Sequence, residues 1–159
     1  MEIEGYRFVT PVEPLPSDFD GQGHLNNAST VRLFNDLRVA YVRERLGAPW
    51  TGWLQRDRVT VVARELHVSY EREVRAGEAL AGGVRVAQRS GRSGIVEQCL
   101  VAADTGVRVA ACWVVQLVVQ DGVVRDWPDF YWELVAAVEG APVPERPAAR
   151  RAPWGPPPV

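Results

Sequence analysis

The order of the secondary-structure signals in this sequence predicts an α+β fold, with one long antiparallel β-sheet wrapped around a single central helix. Three observations predict it. Residues 28–46 carry apolar side chains at helical spacing. Residues 58–119 are rich in β-branched residues and are divided by glycine-bearing turns. Strands joined by such tight turns must run antiparallel, which argues against an all-parallel α/β fold.

The first elements are a short strand over residues 5–13, a proline-containing loop, and the long helix over residues 28–46. Asn26 or Asn27 can accept a hydrogen bond from the first free N–H groups as an N-cap, and Gly47 is placed to end the helix. The apolar face of this helix comprises Val31, Phe34, Leu37 and Tyr41.

A run of hairpin-connected strands follows the helix. Its strand segments are residues 59–70, 77–88, 95–104 and 107–119. Residues 121–124 are predicted to form a further turn. Pro128 then opens a short amphipathic helix over residues 128–138.

The chain has 159 residues, of which 47% are hydrophobic and 24% are charged, and this suits one globular domain. We assign that domain to residues 1–140. Residues 141–159 hold seven of the 12 prolines and few aliphatic side chains. We therefore expect a flexible, Pro/Arg-rich C-terminal tail there.

Composition argues against several classes of protein. The formal net charge of −2 argues against a nucleic-acid-binding protein, because such a protein needs a surface of clustered basic residues. All 18 basic residues are Arg, so neither a Schiff-base lysine nor a P-loop lysine is present. No apolar run reaches the length of about 18 residues that a membrane span needs, and the first residues lack an apolar signal segment. We expect a cytoplasmic protein.

The two cysteines, Cys99 and Cys112, lack CxxC spacing. They predict neither a zinc site nor a redox dithiol. We expect both to be small buried residues within strands, and we expect no metal.

Ionisable and amide side chains concentrate in residues 17–27, directly before the long helix. Gly21 and Gly23 allow the backbone to adopt positive φ angles and to approach a ligand closely. The start of the helix behind them offers free N–H groups and a positive dipole end. A carboxylate beside such donors suits attack on a carbonyl, since the N–H groups stabilise the oxyanion. Asp18 is expected to have a structural role, as a turn residue or as the partner of an arginine.

Two other interpretations of this segment are disfavoured. A calcium-binding EF-hand loop that began at Asp18 would need Glu at its twelfth position, where Ser29 stands. A DxDG phosphotransferase motif would place its first Asp at the end of a buried parallel strand. Here Pro-Leu-Pro-Ser precedes that Asp, Gln22 replaces the Thr, and no βαβ series follows.

The segment resembles the hotdog-fold thioesterases of the 4-hydroxybenzoyl-CoA thioesterase and acyl-CoA thioesterase type. The shared string is D-x-D-x-x-G-H-[VL]-N-N at residues 18–27, followed by a helix with Phe34 and Arg38. Downstream, the similar features are Tyr70 at a strand end, Gly77-Glu78 and residues 89–93. The resemblance covers about residues 5–135 and implies the hotdog fold.

The resemblance also implies an acyl thioesterase that hydrolyses an acyl-CoA or acyl-carrier-protein thioester, with no cofactor other than the CoA of the substrate. Asp20 would act as nucleophile or general base, and backbone N–H groups at the start of the 28–46 helix would stabilise the oxyanion. We expect apolar walls to raise the pKa of Asp20. Gly23, His24, Asn26 and Asn27 would order the loop or contact the substrate.

Arg89 and Arg92 flank a predicted hairpin turn and are candidates for contact with CoA phosphates. The expected assembly is a homodimer that joins two sheets edge to edge, or a dimer of dimers, that is, a homotetramer. The alternative function is a non-catalytic hotdog scaffold that binds an acyl group or a protein partner. A hotdog dehydratase is disfavoured, because the different His-bearing pattern of those sites is not seen.

Two departures from the family pattern affect the expected site. Thr30 and Leu33 stand where aromatic residues are common, which would change the shape of the acyl pocket. The pair Arg72-Glu73 replaces a proline that often follows the strand ending at Tyr70.

Overall fold

The computed structural model of the protein describes residues 1–145, and one curled antiparallel sheet dominates it. Its strands are β1 (Phe8–Val12), β2 (Val59–Tyr70), β3 (Leu80–Ser90), β4 (Ser93–Ala102), β5 (Arg108–Gln120) and β6 (Val123–Arg125). The order across the sheet is β1-β3-β4-β5-β2, with β6 paired to the end of β5. The predicted α+β architecture is confirmed.

The strand connections differ from the predicted run of hairpins. β3, β4 and β5 are joined as hairpins, but β2 pairs with β5 at the far edge of the sheet and not with β3. The predicted turn after β5 lies at Asp121 and Gly122, which both have positive φ angles. This pair of angles suits a tight hairpin turn, and the chain continues into the short strand β6, which was not predicted.

The long helix α1 (Asn27–Tyr41) begins where the sequence predicted, but it ends at Tyr41 and not at residue 46. A π-helical segment, Val42–Leu46, continues it, and a second helix, α2 (Gly47–Arg56), follows at once. Gly47 has a φ of 58° and marks the bend between the two helices, so it does not end the helical region. Burial of Trp50 explains this difference, because its ring lies against Trp53, Trp127 and Tyr131.

The core lies between α1 and the concave face of the sheet. Phe34 of α1 is fully buried, and so are Val84 of β3 and Val114 of β5. Helix and sheet approach closely at Gly82 of β3, where an added Cβ would lie 2.6 Å from Cδ2 of Leu37. Both cysteines are buried in β4 and β5, as the sequence predicted.

The last described elements pack against the π-helical segment and β3. Helix α3 (Asp129–Glu139) follows Pro128, close to the predicted range. Residues 141–145, which fall within the predicted tail, lie beside β3, where the Arg89 N–H donates to the carbonyl of Pro144 (3.0 Å). The remainder of the predicted tail, residues 146–159, lies outside the described residues. Within residues 1–145, every helix is too short or too polar to cross a membrane.

Candidate active site

The loop before α1 is closed by its own backbone. The Asp20 N–H donates to the carbonyl of His24 (2.8 Å), and the Gly23 N–H donates to the carbonyl of Asp20 (3.0 Å). Gly23 has a φ of 79°, which an L side chain rarely adopts. The loop is therefore a tight turn that presents Asp20 immediately before the helix.

The Asp20 carboxylate is held by the same turn. Its Oδ1 accepts hydrogen bonds from the N–H groups of Gln22 (2.8 Å) and His24 (3.0 Å). These bonds, the His24 bond first, lower the pKa of Asp20 below its usual range. The expectation of a raised pKa is wrong for the single chain, because the carboxylate is exposed and hydrogen-bonded in its charged form. Oδ2 is the oxygen left to bind water or substrate.

Asp18 anchors the loop to the helix. Its side chain is buried, and it accepts hydrogen bonds from the Leu15 N–H (2.7 Å) and from the guanidinium of Arg32 on α1. Burial alone would raise the pKa of Asp18, but these bonds and one from Ser29 outweigh it and lower the pKa. The predicted structural role of Asp18, with an arginine as partner, is confirmed.

Asn26 is the N-cap of α1. Its side-chain oxygen accepts from the Ala28 N–H (2.8 Å), which satisfies one of the free donors at the helix start. Its carbonyl accepts from both the N–H (2.9 Å) and the hydroxyl (3.2 Å) of Thr30. Asn27 is the first helical residue, and its carbonyl accepts from the hydroxyl of Tyr70 (3.1 Å).

The segment after β2 forms the second wall of the site. The Leu25 N–H donates to the carbonyl of Val74 (2.9 Å), and His24 Nε2 lies 3.3 Å from a carboxylate oxygen of Glu73. Neither Glu73 nor Val74 was a predicted site residue, since they are about fifty positions away along the chain. Two sequence signals pointed to this wall: the departure from the family pattern at Arg72-Glu73, and Tyr70 at the end of β2, which lines the same cavity.

A cavity of about 540 Å³ lies between the two walls. Its floor is apolar and is formed by Val74, Leu100, Val109 and Ala110. Asp20, His24, Asn26, Asn27 and Thr30 line its polar side. Leu33 is not among the lining residues and is buried in the core. Within residues 1–145, no cluster of three His, Cys, Asp or Glu side chains is suited to hold a metal ion.

Arg89 and Arg92 lie elsewhere in the single chain. They flank the β3–β4 turn at the start of β4, whereas the cavity touches Leu100 near its end, roughly 24 Å away at the usual rise per residue. Arg92 donates to Asp126 (3.0 Å), and Arg89 lies over the ring of Trp132. The structure therefore does not bring these two arginines together with Asp20 in one chain.

Comparison with models of known protein families gave one match. The family model of the thioesterase-like superfamily matches residues 14–149. No curated protein matches the chain.

Three similar solved structures carry thioesterase names. A thioesterase complexed with coenzyme A and zinc from Thermus thermophilus has a TM-score of 0.76 and 25% identity, covering 88% of this chain and 99% of that one. YbaW, a probable thioesterase from Escherichia coli, has a TM-score of 0.69 and 18% identity, covering 82% and 96%. Slr0204, a 1,4-dihydroxy-2-naphthoyl-CoA thioesterase from Synechocystis, has a TM-score of 0.71 and 9% identity, covering 81% and 95%. The two at lower identity support the fold alone.

Proposed function

Because the chain belongs to the thioesterase-like superfamily, with the hotdog fold, we propose that it hydrolyses acyl-CoA or acyl-carrier-protein thioesters at the cavity beside Asp20. One observation carries the proposal. The exposed carboxylate of Asp20 lines the same cavity as Asn26, Asn27 and Thr30 at the start of α1, which supports a base and helix-start N–H donors acting on one bound carbonyl. This is the combination that attack on a carbonyl needs.

The chemistry follows from the two carboxylate oxygens of Asp20. Oδ1 is occupied by the turn, so Oδ2 takes a proton from water while the water oxygen adds to the thioester carbon. The carbon–sulfur bond then breaks, and the thiolate takes up the proton, which gives a carboxylic acid and a free thiol. In a nucleophilic variant of this route, Oδ2 itself adds to the carbon, and the carbon–sulfur bond breaks to release the thiolate. Water then hydrolyses the mixed anhydride, which gives the carboxylic acid and the Asp20 carboxylate, and the proton that water gives up ends on the thiolate.

The oxyanion formed in this step needs N–H donors. The first N–H groups of a helix have no acceptor within the helix, and Asn26 already satisfies that of Ala28. The N–H group of Asn27, which lines the cavity, is the candidate donor to the oxyanion.

The choice of a CoA thioester is supported by the complex of the Thermus thermophilus protein with coenzyme A. Arg89 and Arg92 stay proposed contacts to the CoA phosphates. A CoA bound at Asp20 would have to extend along the sheet, or across a second protomer, to meet them.

One observation favours the alternative of a non-catalytic scaffold that binds an acyl group or a protein partner. Asp20 uses Oδ1 to order its own turn, and its lowered pKa makes it a weaker base than an ordinary aspartate. Under this alternative, the carboxylate would serve the loop alone.

Steady-state hydrolysis of a thioester panel, followed by detection of the free thiol, distinguishes the two. The panel contains short, medium and aromatic acyl-CoA substrates. The test variant is Asp20→Asn, whose amide oxygen can still accept both turn hydrogen bonds. The matched control is Asp129→Asn, which makes the same change at an exposed position on α3.

We expect Asp20→Asn to lower kcat/KM by about 10²- to 10⁴-fold, the usual contribution of a general base, while the control leaves it unchanged. Equal rates for the wild type and Asp20→Asn on every hydrolysed substrate would exclude a catalytic role for Asp20. Binding of acyl-CoA without turnover across the panel would favour the scaffold.

A further inference from the structure

A second cavity of about 590 Å³ lies at the opposite end of α1, where the π-helical segment and α2 bend over the sheet. It shares no lining residue with the cavity beside Asp20. Most of its wall is apolar, with Leu46, Trp50 and Leu54 on the helices and Val61, Val84 and Val96 on the strands. Its size and lining fall in the range of small-molecule sites.

One cation in this wall has only neutral partners. The guanidinium of Arg38 donates to the side-chain oxygen of Gln98 (2.8 Å), to that of Asn35 (3.2 Å) and to the carbonyl of Phe34 (3.4 Å). A guanidinium has five N–H donors, so two stay available after these three bonds. Arg38 is half-buried, and this burial lowers its pKa.

The two charged side chains that line this cavity are both cations, and the carboxylate of Glu139 behind the wall is held by the Tyr41 hydroxyl (2.8 Å) and the Val86 N–H (3.1 Å). The lining of the cavity includes the cations Arg38 and Arg43 and no carboxylate among the described residues. Arg43 is exposed and donates to its neighbour Glu44 (2.8 Å). Arg38 is thus a half-buried charge that faces an apolar space and whose described hydrogen bonds all go to uncharged acceptors.

We propose that this second cavity binds an apolar carboxylic acid, with its hydrocarbon or aromatic part against the apolar wall and its carboxylate on Arg38. A carboxylate matches the planar donor fork of arginine and supplies the missing negative charge. A long cationic or neutral polar ligand would leave that charge unpaired. The proposal does not rest on thioester hydrolysis, although a carboxylic acid is also what that reaction would release.

Calorimetric titration of the full chain without any thioester tests the proposal. The probes are phenylacetate, octanoate and decanoate, each compared with its primary amide, which keeps the shape and loses the charge. The variants are Arg38→Gln and, as the matched control, Arg125→Gln. Arg125 is exposed on β6 and does not line the cavity.

We expect at least one acid to bind the wild type more tightly than its amide, and Arg38→Gln to weaken acid binding by about tenfold or more, the effect of losing a charge-assisted hydrogen bond. Arg38→Gln should bind the amide as tightly as the wild type does, and Arg125→Gln should bind the acid as tightly as the wild type does. Equal affinity of acid and amide for the wild type would overturn the proposal. This comparison uses the wild type alone, so it does not depend on whether a variant folds. Absence of binding by every acid, or an unchanged affinity in a folded Arg38→Gln, would also overturn it.

Discussion

Substitution of Gly82 by alanine tests how closely the central helix approaches the sheet. Gly82 lies within β3, where glycine weakens a strand, so a packing reason is needed for it. The Cβ added by alanine would lie 2.6 Å from Cδ2 and 3.0 Å from Cγ of Leu37. Real Cβ atoms do not come that close to a neighbour. Because Leu37 is itself buried, either its rotamer or the helix must shift.

Overpacking of this kind costs about 1–3 kcal/mol of unfolding free energy. For a chain of this length, that corresponds to a fall in Tm of roughly 2–12 °C. Urea unfolding at one fixed protein concentration measures the change. The matched control is Gly52→Ala on α2, where an added Cβ meets nothing within 4 Å. Since alanine is the better helix former, that control should be neutral or gain up to about 1 kcal/mol.

A double-mutant cycle assigns the cost to the named contact. Leu37→Ala alone should destabilise by about 2–5 kcal/mol, because it leaves a cavity in the core. In the double variant the new methyl group fills part of that cavity. The total loss should therefore be smaller than the sum by about 1 kcal/mol or more, within the range measured for contacting pairs. Additive losses, or a Gly82→Ala variant as stable as the wild type, would refute the close approach of α1 to β3.

Two other predictions concern the helix cap and the assembly. Asn26→Ala should lower the unfolding free energy by about 1 kcal/mol, because the Ala28 N–H loses its acceptor. The control Asn27→Ala should lower it by less. Equal losses of unfolding free energy in urea would contradict the assignment of Asn26 as the N-cap. For the assembly, β2 is an edge strand with half-exposed Leu66 and Tyr70, so we propose a homodimer, or a dimer of dimers, formed through such edges. Light scattering at micromolar concentration should give twice 17.6 kDa or a higher multiple, and a mass near 17.6 kDa would contradict it.

The sequence was sufficient to predict those elements whose limits are set by the pattern of apolar and polar residues within them. β2 has the predicted limits, 59–70, because its β-branched residues form one run bounded by a loop and a polar segment. The start of α1 was also predictable, since a capping asparagine stands directly before an apolar face. Both features depend on neighbours in the chain.

Features that depend on distant contacts were not predictable in this way. Helix α2 contains Gly47 and Pro49, which disfavour a helix, and the aromatic cluster around Trp50 that buries it forms only when the chain is folded. The pairing of β2 with β5 joins strands that β3 and β4 separate in the sequence.

The candidate site shows the same division. The sequence indicated Asp20, but the direction of its pKa depends on where two backbone N–H groups point after the loop closes. Glu73 joins the site only because the segment after β2 folds back against His24.

In the proposed reaction, Asp20 and the start of α1 act on one thioester carbonyl. A crystal structure of the protein with a ketone analogue, in which a CH₂ group separates the CoA sulfur from the acyl carbonyl, tests this most directly. We expect the carbonyl carbon within about 3.5 Å of an Asp20 carboxylate oxygen, or one water away, with its oxygen accepting from the Asn27 N–H. A carbonyl bound elsewhere, with neither Asp20 nor the helix start in reach, would contradict it.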